Sequence, residues 1–214
     1  MIRNAGIKLR IGSALAALTG LGGFAALTSA SAQSDNAATS YRAELRALNG
    51  SGASGMAELR LSGNGKNLNV HITARGLEAG GPHVSHIHGL SSNGQPVDST
   101  CPTQAQDTDG DGFVELAEGQ VTYGPILIDF GNIDPDQDGT VDFRTVVQNP
   151  AGKGALPLAD RHIVIHGKTV GAVGEGTPGE VDGTAGYKAV LPVLCGEIVS
   201  SGTRSPRVVR PPRN

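Results

Sequence analysis

"PHVSHIHG", Pro82 to Gly89, contains three of the six histidines of the chain, and its spacing decides how the fold is read. Side chains two apart on a strand share a face. His86 and His88 therefore point one way and Ile87 the other. "RHIVIHG", Arg161 to Gly167, repeats the arrangement. There His162, Val164 and His166 share one face, and Ile163 and Ile165 the opposite one. Each stretch thus turns isoleucine inward and imidazole toward the outer wall of a sheet. If the two strands are neighbours, several imidazole nitrogens converge. Neutral imidazole suits copper and zinc in particular.

Working outward, the rest of the chain carries the same period of two. The runs "YRAELRAL", "GMAELRLS", "NLNVHITA", "VTYGPILIDF", "VDFRTVVQ" and "YKAVLPVLCGEIV" alternate, with Gly, Asn, Ser and Asp clusters between them. In "NLNVHITA" Leu68, Val70 and Ile72 share a face, with Asn69 and His71 on the other. Glycine is abundant, with 32 residues, tryptophan is absent, and few runs have helical period. About eight short strands with turn signals between them predict an all-β antiparallel sandwich or barrel.

The ends of the 214-residue chain read differently. Arg3, Lys8 and Arg10 precede the apolar stretch Ile11 to Leu27, and Ala30-Ser31-Ala32 follows. This is the pattern of a cleaved secretory signal over residues 1–32, with the mature chain starting near Gln33. The stretch is short and Gly-rich for a transmembrane span, which needs about 20 apolar residues, and no other segment could cross a bilayer. The domain is expected over 33–203, and 204–214, Pro- and Arg-rich, is expected to be disordered. The two cysteines, Cys101 and Cys195, are either one disulfide or two buried thiols. Export to a periplasmic, cell-envelope or extracellular space favours the disulfide.

The formal charge of −3 becomes −6 once Arg3, Lys8 and Arg10 leave with the signal. No Lys or Arg occurs from Gly76 to Phe143, where acids gather instead. Such a stretch points to cations and away from nucleic acid as the main partner. "DTDGDGFVELAE", Asp107 to Glu118, fits the calcium loop of an EF-hand at every liganding slot. Asp107, Asp109 and Asp111 take the first, third and fifth positions, and Gly112 the turn at the sixth. Phe113 offers its carbonyl at the seventh, Glu115 stands at the ninth, and Glu118 is the bidentate twelfth ligand. A second copy, "DPDQDGTVDFRT" at 134–145, places Asp134, Asp136, Asp138, Thr140 and Asp142 correctly. It ends on Thr145, which cannot chelate bidentately, so weaker calcium binding is expected. Both loops lie in an acidic insertion expected over 101–145. The "IDF" and "VDF" runs beside them read as strands, so the loops are expected within a β domain.

The stretch "ARGLEAGGPHVSHIHG" resembles the copper-binding strand of copper/zinc superoxide dismutase, with its lead-in. "RHIVIHG" resembles that family's late copper-ligand strand, and "VLCGEI" its terminal cysteine segment. The likeness runs from about Tyr41 to Val199, weakly between the motifs. The same residues, with Tyr-x-Ala-x-Leu at the start, also resemble secreted bacterial chordin-type (CHRD) domains. The resemblance implies a Greek-key β-sandwich, copper on His86, His88 and His166, a structural role for His83, and a Cys101–Cys195 disulfide. It gives no precedent for His162, which could supply a fourth nitrogen from the face of His166. The departures are equally specific. No histidine lies between His88 and His162 to bridge copper to zinc or complete a zinc site. Pro192 stands where the family has an arginine that guides superoxide. Two readings remain from different classes: an exported copper enzyme that dismutates superoxide at a mononuclear site, and a non-catalytic, calcium-stabilised CHRD-type binding domain. Metal ions are the expected partners, with calcium and copper as the expected cofactors, and the CHRD-type reading also allows a cell-surface partner.

Overall fold

Period-two alternation becomes strand wherever one face can be buried. The computed structural model describes residues 37–172 and 179–202. The expected signal segment and the Pro/Arg tail lie outside the described residues. The strands are β1 (Thr39–Ala47), β2 (Ser54–Leu61), β3 (Asn67–Arg75), β4 (Val84–His88), β5 (Leu90–Ser92), β6 (Gln95–Val97), β7 (Ile126–Asn132), β8 (Val141–Gln148), β9 (His162–Val170), β10 (Gly186–Glu197) and β11 (Val199–Ser200). One helix, α1 (Leu116–Tyr123), precedes β7.

The sheet runs β7-β4-β9-β10-β1-β2-β3-β8, nearly closed as a barrel of 8 strands, with β11 added beside β1 and β5-β6 forming a separate hairpin. Every pairing is antiparallel, and β4 and β9 are neighbours: Ser85 lies opposite Ile165, Ile87 opposite Ile163, and His88 opposite His162. Ile87, Ile163 and Ile165 are fully buried in the central core with Leu45, Leu59, Leu68, Val70 and Ile72. Each is worth about 1.5–3 kcal/mol of hydrophobic stabilisation, so the isoleucines fix which way the imidazoles face.

Cys101 and Cys195 form a disulfide with their Cα atoms 5.8 Å apart. It lies on the outward face of β10. There Cys195 packs with Val164 of β9 and Tyr123 of α1, and Leu116 and Cys101 close the cluster. This face is therefore not an outer wall in solvent: α1 and the disulfide-linked segment cover it. Helix α1 departs from the strand-only reading of "VTYGPILIDF". Residues 121–123 belong to the helix, and the strand begins at Ile126. The reason is local. Glu115 and Glu118 form a reciprocal capping box at the first turn, which satisfies amide donors that a helix start leaves open. Within the stretch 101–145, β7 and the start of β8 are strands of the main sheet, as the "IDF" and "VDF" runs predict. No described helix is long and apolar enough to cross a membrane.

Candidate metal centre

Strand alternation and the β4–β9 pairing bring His86, His88 and His166 together. Their ring centroids lie 5.5 Å (His86–His88), 5.1 Å (His86–His166) and 5.8 Å (His88–His166) apart. One ring nitrogen from each lies within 4.8 Å of the others. His86 is 7% exposed, and His88 and His166 are 1% exposed, so all three rings are buried.

The hydrogen bonds fix which nitrogens are free. The Nδ1–H of His88 donates to the carbonyl of Gly124 at 2.8 Å, and that of His166 to the carbonyl of Val190 at 2.7 Å. A neutral imidazole carries one N–H and one lone pair, so both Nε2 atoms present lone pairs. Among the described residues both are buried without a partner, as is Nδ1 of His86. Burial pushes His88 down to about 4, against the Gly124 bond, which raises it, and with help from the cationic forms of His86 and His162. Burial likewise pushes His166 down to about 3, and His86 is lowered mainly by burial, with Asp129 opposing. All three rings are neutral at physiological pH, the state in which imidazole binds a metal. A buried lone pair without a partner is costly, and three histidines that each bring a ring nitrogen within 4.8 Å of the others fit a soft or borderline cation such as copper or zinc.

The helix missing from the sequence reading holds this centre. Tyr123, at its end, packs its ring edge-on to His88 at 4.7 Å and donates its hydroxyl to the Leu116 carbonyl at 3.1 Å. Gly124 follows with φ 81°, and a Cβ there would stand 2.3 Å from the Gly89 carbonyl oxygen. Only glycine lets that carbonyl reach His88. Asp129, opposite His86 in the β4–β7 pairing, sets Oδ1 3.4 Å from His86 Nε2. Tyr123, Gly124 and Asp129 have no sequence signal, because their role depends on which strand lies beside β4.

His162 shares the face but not the cluster. Its Nδ1–H donates to Ser99 Oγ at 2.9 Å, and the Ser99 hydroxyl in turn donates to the Asp160 carbonyl. Its Nε2 is 3.9 Å from Glu197. His83 spans two backbone carbonyls, those of His166 and Glu78, each at 2.9 Å, and so joins the loop before β4 to the late histidine strand.

In the acidic loop, Asp107, Asp109 and Glu118 bring carboxylate oxygens within 4.8 Å of one another. Asp107 accepts from the amides of Gly110 and Gly112 at 2.8 and 3.0 Å, and Glu118 from Thr108 at 2.6 Å. Asp111 stands beside them with Oδ2 buried and unpartnered. Its carboxyl is raised first by burial and then by Asp109, Asp107 and Glu118, against a bond from the Phe113 amide. Glu115, the expected ninth ligand, turns away. It accepts from the Val181 amide, and Glu180 accepts from the Leu116 amide. Phe113 lies against Val170, Val181 and Leu191. Val114 bonds to the side chain of Asn49, which accepts from its amide at 2.7 Å and donates to its carbonyl at 2.8 Å.

The second acidic set is not gathered. Asp134, Asp136 and Asp138 are exposed, and Asp138 accepts from Thr140. Asp142 lies on β8, where it contacts His71 at 2.9 Å and Arg144 at 3.4 Å.

Fold and site together define a class: a nearly closed antiparallel barrel with a disulfide, and a buried three-histidine cluster on the outward face of one sheet. No protein-family model matches the chain, and no curated protein matches it either.

Proposed function

We propose that this is an exported metal-binding β-sandwich protein. It holds copper at His86, His88 and His166 and calcium in the loop Asp107 to Glu118, on a scaffold of the superoxide dismutase or CHRD kind. The single observation that carries the copper reading is the trio of buried, unpartnered nitrogens: Nδ1 of His86 and Nε2 of His88 and His166. Copper bound there would supply one-electron redox chemistry. The protein's own residues bind and exclude. The Gly124 and Val190 carbonyls orient two imidazoles, the isoleucine core fixes the strands, and Tyr123 keeps water from His88. The calcium reading rests on the complete loop motif and on the meeting of Asp107, Asp109 and Glu118. A hard cation takes the oxygens and a softer one the imidazoles, so the two sites sort their metals by chemistry.

Electrostatics argue for storage, transfer or structural use of copper over rapid turnover of superoxide. His86, the most exposed of the three rings, has the Asp129 carboxylate 3.4 Å away, Pro192 takes the place of a guiding cation, and no Lys or Arg occurs from Gly76 to Phe143. An anion approaches such surroundings slowly. Copper stoichiometry of wild type and His88→Ala tests the site: one ion per wild-type chain and loss of most of it in the variant are expected. Equal copper in both ends the reading. Fast, His88-dependent superoxide consumption by the loaded protein would instead make it an enzyme.

A further inference from the structure

The histidine cluster has one charged neighbour that the ligand set does not include. Asp129 lies on β7, directly opposite His86 of β4, and its Oδ1 stands 3.4 Å from His86 Nε2. That is longer than a good hydrogen bond, but it is the one carboxylate in ion-pair range of the three clustered rings among the described residues. His86 differs from its two partners. His88 and His166 each give Nδ1–H to a backbone carbonyl and so have a fixed tautomer. His86 gives Nδ1 to nothing among the described residues: that atom is buried and unpartnered, and the ring brings a nitrogen within 4.8 Å of nitrogens of His88 and His166.

We propose that Asp129 is a positioning residue for the histidine centre, drawing the proton of His86 to Nε2 so that the Nδ1 lone pair is turned to the metal. This rests on the copper reading above. In the metal-free protein the His86 proton has two homes. At Nε2 it faces the Asp129 carboxylate. At Nδ1 it would lie among the lone pairs of His88 and His166, which attract it. The second arrangement blocks the site, because a protonated nitrogen cannot coordinate. The carboxylate tips the balance toward the first without changing the charge of the ring. It would also make His86 the odd one of the three: two rings would offer Nε2 while backbone carbonyls hold Nδ1, and one would offer Nδ1 while a carboxylate faces Nε2. Outer-shell carboxylates of this kind fix ring orientation and raise ligand basicity, and their loss lowers metal affinity about 10- to 100-fold.

The test has one arm that needs no metal. Nitrogen-15 NMR of metal-free wild type, resolving the two ring nitrogens of His86, should find the proton on Nε2; Asp129→Ala should shift population toward Nδ1–H. Competition titration with copper should show Asp129→Ala weakened about 10- to 100-fold and Asp129→Glu close to wild type. A His86 proton on Nδ1 in wild type, or a tautomer population unchanged in Asp129→Ala, overturns the proposal. So does copper affinity in Asp129→Ala within about twofold of wild type, since the expected loss is at least about tenfold. If wild type binds no copper at all, the copper reading falls, and the tautomer measurement still decides the role of Asp129.

Discussion

His88 and His166 are imidazoles that the fold keeps from protonating. Burial is the largest cause, lowering His88 to about 4 and His166 to about 3 from an ordinary 6.5. An unfolded chain takes up protons below about 6.5 that the folded rings refuse. Stability of the metal-free protein is therefore full above that pH and is lost as pH falls toward 4 and 3. His86 and His162, also lowered by burial, push the same way. Urea unfolding of the metal-free protein should give a lower midpoint at pH 5 than at pH 7, and His88→Gln/His166→Gln should flatten that difference. A midpoint independent of pH over this window would mean that the rings are not buried as described. The histidines themselves were legible as a set because two-residue spacing on a strand is a local property. The dismissal of His162 from the cluster was not, since it depends on Ser99, 63 positions away.

Helix α1 is the element that joins the acidic loop to the histidine cluster. Its first turn is capped by Glu115 and Glu118, and its last residue, Tyr123, and the Gly124 that follows it both touch His88. Calcium in the loop would neutralise Asp107, Asp109 and Glu118, whose oxygens crowd within 4.8 Å, and so stabilise the folded state by mass action. Calcium added to chelator-treated protein should raise the melting temperature, and Glu118→Gln should lose most of that gain. An identical melting curve with and without calcium in wild type would defeat the calcium reading. The loop motif is visible in sequence because its carboxylates are neighbours. The helix was hidden because "LAEGQVTY" has no apolar stripe, and it forms by capping and by packing Tyr123 on β4 and β9.

For the whole molecule the main lever is the disulfide. Cys101 and Cys195 are 94 positions apart, and the bond closes nearly half the chain into a loop. Constraining the unfolded chain this way is worth about 2–4 kcal/mol. Reduction should lower unfolding free energy by that amount. It should also speed hydrogen exchange in α1, because Cys101 packs in the cluster that covers Val164 and Tyr123. Unchanged exchange in α1 on reduction would show that the helix is held by packing alone.

The strands, the inward isoleucines, the outward imidazoles and the acidic loop are legible along the chain alone, since each is written in spacings of two or in a contiguous run of carboxylates. Tertiary structure alone decided the neighbours: β7 beside β4, which brings Asp129 to His86, and α1 over β9, which buries the face expected at the surface. It also separated the two acidic loops. Asp107, Asp109 and Glu118 converge, whereas Asp142, the same kind of residue in the same kind of motif, is drawn onto β8 beside His71 and Arg144. The physical reason is common to all of these. Alternation and ligand spacing are set by covalent geometry along the chain, whereas strand order is set by which faces bury the most apolar surface once the chain has closed on itself.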